Sequence, residues 1–123
     1  RSWDIRPEPL NMDNPFHPIN IDAYKNLPKE IIPSTESLKD TYERVVKFYE
    51  ENVKNNLKDK NILISAHGNS IRALCKYLFK LDNNQISKLE IPTGNLLVIE
   101  IDKDNIKNCK YLDKERAKDL VIF

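Results

Sequence analysis

Six of the chain's seven prolines, Pro7, Pro9, Pro15, Pro18, Pro28 and Pro33, fall in residues 1–34. Proline fixes φ and removes a backbone donor, so no long helix or ladder-forming strand survives that spacing. Residues 1–34 are therefore expected to form an extended, irregular arm. A stretch this long with little structure is unusual in a compact domain unless it is a functional loop or lies over a partner. His17, inside the arm, is read as a surface histidine. The chain's 123 residues suffice for one domain with one modest core.

Beyond Pro33 the pattern becomes periodic. Leu38, Tyr42, Val45, Tyr49, Val53 and Leu57 recur at three- and four-residue steps, one apolar stripe of an amphipathic helix. Tyr42 and Tyr49 belong to that stripe and are read as core. Lys39, Asp40, Glu43, Lys47, Glu50, Glu51 and Lys54 fill the solvated face. The helix is predicted to begin near Ser34–Ser37, with Ser34 or Thr35 capping its orphan N–H groups. It ends in the polar run Asn55–Asn61. Ile62–Ala66 is short, apolar and β-branched, which suits a strand buried on both faces of a parallel sheet. Ile71, Leu74, Cys75 and Leu78 then step at helical spacing, with Arg72, Lys76 and Lys80 opposite them. A short helix from Asn83 to Leu89, a turn at Pro92-Thr93-Gly94, strands at Leu96–Ile101 and Ile106–Leu112, and a terminal helix at Asp113–Leu120 follow. A helical crossover of more than a dozen residues is what parallel pairing requires. Ile62–Ala66 and Leu96–Ile101 are thus predicted to be neighbours or near-neighbours in one sheet. The expected fold class is α/β, a mostly parallel sheet with helices on both faces.

Lys and Arg number 20 against 19 Asp and Glu, a net charge of +1. Such a balance calls for neither nucleic acid nor an anionic membrane, so an anionic ligand must be held by a local site. No run of about 18 apolar residues is present to span a membrane, and no signal peptide is visible. Cys75 and Cys109 show no metal-ligand spacing and are read as free thiols in a reducing compartment.

One place looks like an active-site element, the end of the Ile62–Ala66 strand. Ligands of open α/β sheets bind beyond the carboxyl ends of strands. His67 sits there, followed by Gly68, Asn69 and Ser70 at the turn into a helix. A glycine lets backbone approach a ligand closely, and free N–H groups opening a helix attract anions. A histidine beside a phosphate donates a hydrogen bond, with charge when protonated. The competing reading is a structural histidine satisfied by backbone groups.

Ser65-Ala66-His67-Gly68-Asn69-Ser70-Ile71-Arg72-Ala73-Leu74 resembles the second histidine motif of the cofactor-dependent phosphoglycerate mutases, within the histidine phosphatase superfamily. Three further blocks agree in the same order. Arg1-Ser2-Trp3-Asp4-Ile5 with its following prolines is similar to the family's Arg-Arg-Ser-aromatic-Asp-Val-Pro-rich segment. Pro33-Ser34-Thr35-Glu36-Ser37-Leu38-Lys39-Asp40-Thr41 resembles its Pro-Ser-x-Glu-Ser-Leu-Lys-Asp-Thr helix start. Ile91-Pro92-Thr93-Gly94 resembles its Leu-Pro-Thr-Gly block. Acid-phosphatase-type members carry His-Asp where this chain has His67-Gly68-Asn69, which favours the mutase branch. Departures are Arg6 in place of a proline, Asn95-Leu96 in place of x-Pro, and a shorter apolar tail. The family's Arg-His-Gly motif, with the histidine that is phosphorylated, and its general acid do not occur here.

The resemblance implies that residues 1–123 are the C-terminal portion of a single phosphoglycerate mutase-like domain, with the proline-rich arm at 1–34. It implies interconversion of 3-phosphoglycerate and 2-phosphoglycerate through a phosphohistidine in an N-terminal half, with 2,3-bisphosphoglycerate as phosphoryl donor and no metal. His67 would be catalytic, and Arg1, Gly68 and Asn69 would bind substrate. Ser70 and Arg72 are read as structural. The implied partners are the phosphoglycerate substrate, the N-terminal half and further copies in a homo-oligomer, without nucleic acid or membrane; the implied location is the cytoplasm. The alternatives are a bisphosphoglycerate synthase or phosphatase of the same superfamily, or a non-catalytic anion-binding module.

Overall fold

The computed structural model describes residues 2–117. The first long element is α1, Leu38–Phe48, which widens into a π-helical turn at Tyr49–Val53 and tightens into a 3-10 turn at Lys54–Asn56. Its cap is Ser37, and not the expected Ser34 or Thr35. Ser37 Oγ accepts from Asp40 N at 3.2 Å while Asp40 Oδ2 accepts from Ser37 N at 2.8 Å. This capping box needs an acidic or amide side chain three residues after the cap, and only Ser37 has Asp40 at that distance. Thr35 instead donates its hydroxyl to the Pro7 carbonyl at 2.8 Å.

Helix α2, Gly68–Leu78, packs on α1 through edge-to-face rings, Tyr42–Tyr77 at 6.4 Å and Tyr49–Tyr77 at 5.9 Å. The Tyr77 hydroxyl donates to the Glu50 carboxylate, which pushes the phenol up to about 12. Tyr49 is buried and Tyr42 half-buried against the core, as the stripe predicts. α2 ends with Leu81 N donating to Lys76 O at 3.1 Å and Lys80 at φ 53°. That is a Schellman closure with lysine in the left-handed position usually given to glycine. Helix α3, Asn83–Lys88, follows at once under an Asp82–Gln85 capping box. The core gathers Leu38, Ala73, Cys75, Leu81, Ile86 and Leu89 between the three helices. Cys75 and Cys109 are both free thiols, as expected, and burial pushes Cys75 up to about 12.

The sheet differs from expectation. Among the described residues two strands form, β1 at Leu97–Asp102 and β2 at Asn105–Tyr111, and they pair antiparallel. Gly94, at φ +72°, turns the chain ahead of them. The two-residue turn Lys103-Asp104 joins them, both residues at positive φ. The Ile62–Ala66 segment, predicted as a parallel strand beside β1, belongs to no ladder among the described residues, and Leu63 is 80% exposed. The reason is topological. A hairpin finds its partner two residues away, whereas a parallel strand needs partners remote in sequence, and no described strand lies beside Ile62–Ala66. Asn95, the first residue of the Asn95-Leu96 pair that stands in place of x-Pro, extends the hairpin by donating to Asp113 O at 2.9 Å and accepting from Asp113 N at 3.0 Å.

The arm is irregular as predicted, with three 3-10 turns at Pro18–Asn20, Asp22–Tyr24 and Lys29–Ile31. It is strapped to the start of α1. Arg6 makes a two-pronged pair with Asp40, both bonds 2.7 Å, and Lys39 N donates to Trp3 O at 3.0 Å. Trp3 rests edge-on against Tyr42 at 5.3 Å, under the Lys76 ammonium. His17 is not a surface residue but fully buried. Its Nδ1 accepts from Ile19 N at 3.2 Å, capping the first 3-10 turn. Proline spacing and composition do not reveal this burial, which the folded arm sets. Of the predicted terminal helix Asp113–Leu120, Asp113 and Lys114 form a bend, Glu115–Ala117 a 3-10 turn, and residues 118–120 lie outside the described residues.

Candidate active site

His67, Gly68 and Asn69 come together at the N terminus of α2. His67 is the N-cap residue, with extended backbone (φ −63°, ψ 148°), and its side chain caps nothing. The first intrahelical bond runs from Ile71 N to His67 O at 3.1 Å. The N–H groups of Gly68, Asn69 and Ser70 are therefore left for an outside acceptor, at the positive end of an 11-residue helix. All three of His67, Gly68 and Asn69 are exposed, while Ser70 is half-buried. A Cβ on Gly68 would meet no described atom within 4 Å, so the chain's own packing does not demand glycine there.

Arg72 stands one turn further along α2 and is only 8% exposed. Nε donates to Leu89 O at 2.9 Å, Nη2 to Ile86 O at 2.5 Å, and Nη1 to Asn69 Oδ1 at 3.1 Å. The first two are carbonyls at the end of α3, which lack helical partners. Arg72 thus has the structural part expected of it, and also a contact that the sequence reading missed. The signal was present in the i, i+3 spacing of Asn69 and Arg72, which puts both on one helix face.

Arg1, the other expected binding residue, lies outside the described residues. Behind the site runs an apolar groove of ≈ 460 Å³, lined by Ile62–Ala66 and by Val45, Phe48, Val53, Ser70, Ile71 and Leu74. A second concavity of ≈ 470 Å³ between Tyr42, Tyr49, Tyr77 and three lysines includes none of His67, Gly68 and Asn69. The first touches the start of α2 through Ala66, Ser70 and Ile71, and it too includes none of His67, Gly68 and Asn69. Among the described residues, no group of three or more His, Cys, Asp or Glu is placed to hold a metal ion. No helix there is long and apolar enough to cross a membrane.

The arrangement offers three backbone donors, an imidazole and a carboxamide to one small anionic group. Comparison with known proteins places the chain in a family. The profile of the histidine phosphatase superfamily (branch 1) matches residues 14–113. The 2,3-bisphosphoglycerate-dependent phosphoglycerate mutase of Pelagibacter ubique (strain HTCC1062) is 69% identical across 100% of this chain and 52% of its own length. Proteins of the same name from Maricaulis maris (strain MCS10) and Borreliella afzelii (strain PKo) are 41% and 48% identical, over 98% and 96% of this chain and 51% and 49% of theirs. The chain spans about half the length of the curated relatives it matches. It belongs to the histidine phosphatase superfamily, branch 1, and within it resembles the phosphoglycerate mutases.

Proposed function

We propose that this chain is the C-terminal half of a 2,3-bisphosphoglycerate-dependent phosphoglycerate mutase, interconverting 3-phosphoglycerate and 2-phosphoglycerate by phosphohistidine-mediated transfer. The observation that carries this reading is the convergence of His67, Gly68 and Asn69 on the open N terminus of α2, in a chain 69% identical to a relative of that name. The phosphorylated histidine and the general acid belong to the half outside this chain. That half supplies the strands that flank Ile62–Ala66. The assembled enzyme is a homo-oligomer of the cytoplasm.

The site's donor set fits the anionic oxygens of a phosphate or carboxylate. 2,3-Bisphosphoglycerate, when bound, supplies the phosphoryl group that charges the enzyme, and the resemblance calls for no metal. Phosphoryl transfer asks the protein mainly to position groups and to stabilise charge on the equatorial oxygens. His67 donates to those oxygens, most strongly when protonated. The N–H groups of Gly68 and Asn69 hold an oxygen at the helix end, and the bare Cα of Gly68 leaves room for it. Arg1 grips the substrate with its fork of donors. The isolated chain, lacking the nucleophile, has no turnover.

The test joins the unmatched half of the Pelagibacter protein ahead of Arg1 in a single polypeptide. His67→Ala in that protein should lower kcat by roughly a hundred- to a thousand-fold, about 2.7–4 kcal/mol, with little change in melting temperature. A mutant that melts earlier yet turns over normally would reduce His67 to a structural residue. Turnover by the 123-residue chain alone would place the chemistry elsewhere.

A further inference from the structure

We propose that Arg72 is a positioning residue of this site, fixing the Asn69 carboxamide with its NH2 group turned toward the anion. The inference rests on the reading of α2's N terminus as a phosphate-holding site and names how one of its donors is aimed.

The argument begins from donor chemistry. A guanidinium has five N–H donors, no acceptor, and does not lose its charge in proteins. The Asn69 atom facing Arg72 Nη1 at 3.1 Å must therefore be the oxygen. The carboxamide is planar, so its NH2 is carried on the other arm, away from Arg72. An asparagine at the second position of a helix, exposed as Asn69 is, otherwise turns freely and presents oxygen or nitrogen alike. An oxygen turned outward would repel a phosphate. The charge-assisted bond from Arg72 removes that choice.

The anchor itself is buried. The carbonyls that receive Nε and Nη2 belong to Leu89 and Ile86, both 0% exposed. The plane of the guanidinium is thereby set by residues 14 and 17 positions downstream, at the end of α3. Lysine would keep the charge but not the fork, since an ammonium on a flexible stem donates from a point. Charge and geometry are therefore separable by Arg72→Lys.

The experiment has two arms. In the 123-residue chain, 15N relaxation of the Asn69 side-chain NH2, assigned by its loss in Asn69→Asp, reports the order of the carboxamide. Order should fall in Arg72→Lys while the α2 backbone amides keep theirs. In the joined polypeptide, Arg72→Lys should raise the KM for 3-phosphoglycerate about five- to ten-fold, and should do nothing further in an Asn69→Ala background. An equal loss in both backgrounds, or an Asn69 side chain unchanged by Arg72→Lys, overturns the proposal and leaves Arg72 as a link between α2 and α3. Ordering by Arg72 in a joined protein without mutase turnover would uphold the geometry and sink the functional reading instead.

Discussion

Ile62–Ala66 and Leu97–Asp102 are both short and rich in branched apolar residues, yet one lies open and the other is built into a ladder. Leu97–Asp102 also carries Glu100 and Asp102, whereas Ile62–Ala66 carries no charge. β1 pairs with β2 from Leu97↔Tyr111 to Asp102↔Asn105, and its alternate residues are half-buried. Ile62, Leu63 and Ile64 are 38%, 80% and 41% exposed and bond to no strand among the described residues. The difference lies in where the partner resides in the sequence. Strand character is a pairwise property, and β propensity mostly measures fit to neighbours. β1 shows alternation, the mark of one covered face. Ile62–Ala66 shows a continuous run, the mark of two. The run has the pattern of a strand with two covered faces, and among the described residues no strand pairs with it.

The sharpest way to break this comparison is amide hydrogen exchange. In the 123-residue chain, amides of β1 bonded to β2 should be protected and those of Ile62–Ala66 nearly unprotected. In the joined polypeptide the latter should slow by at least about a hundred-fold, as core amides do relative to frayed segments. Fast exchange at Ile62–Ala66 in an otherwise protected joined protein would mean the segment is a loop. A smaller effect is expected from side-chain truncation. Leu97, half-buried against the core, should cost about 1–3 kcal/mol on mutation to Ala in this chain by urea denaturation. Leu63→Ala should cost no more than about 0.5 kcal/mol here, but about 2–5 kcal/mol in the joined protein. Equal costs for Leu63→Ala in both would erase the contrast. The smallest effect concerns why the hairpin stands alone. Asp104 holds φ 68° in the two-residue turn. Asp104→Gly should stabilise the chain by up to about 1 kcal/mol, since glycine adopts that conformation without Cβ strain. A lower melting temperature would show that the Asp104 side chain, not the backbone, supports the turn.

Elements whose partners are local were legible. The α1 stripe ran as predicted through Val53, the hairpin strands shifted by a residue at each end, and α3 stopped one residue early. The candidate site was legible as a cluster because His67, Gly68 and Asn69 are consecutive, and any helix beginning there brings them together. Arg72 was read as structural without its partners, since Ile86 and Leu89 become its neighbours only after α2 and α3 fold together. His17 was misjudged for the same reason: burial is decided by what packs over a residue, and proline spacing says nothing of that. The parallel sheet was inferred from the apolar run and the strand-helix-strand order, neither of which shows where a pairing partner lies.

The Arg6–Asp40 pair and the bond from Thr35 to Pro7 O fasten both feet of the arm to one spot. The stretch between them is a ring of chain closed by non-covalent clasps. The entropy of closing such a ring grows only with the logarithm of its length, about 0.6 kcal/mol per doubling. Residues 20–31 of that ring are exposed, so added or deleted residues there change its circumference without touching α1. Length at this crest is a nearly free variable, whereas the clasps at its base are not.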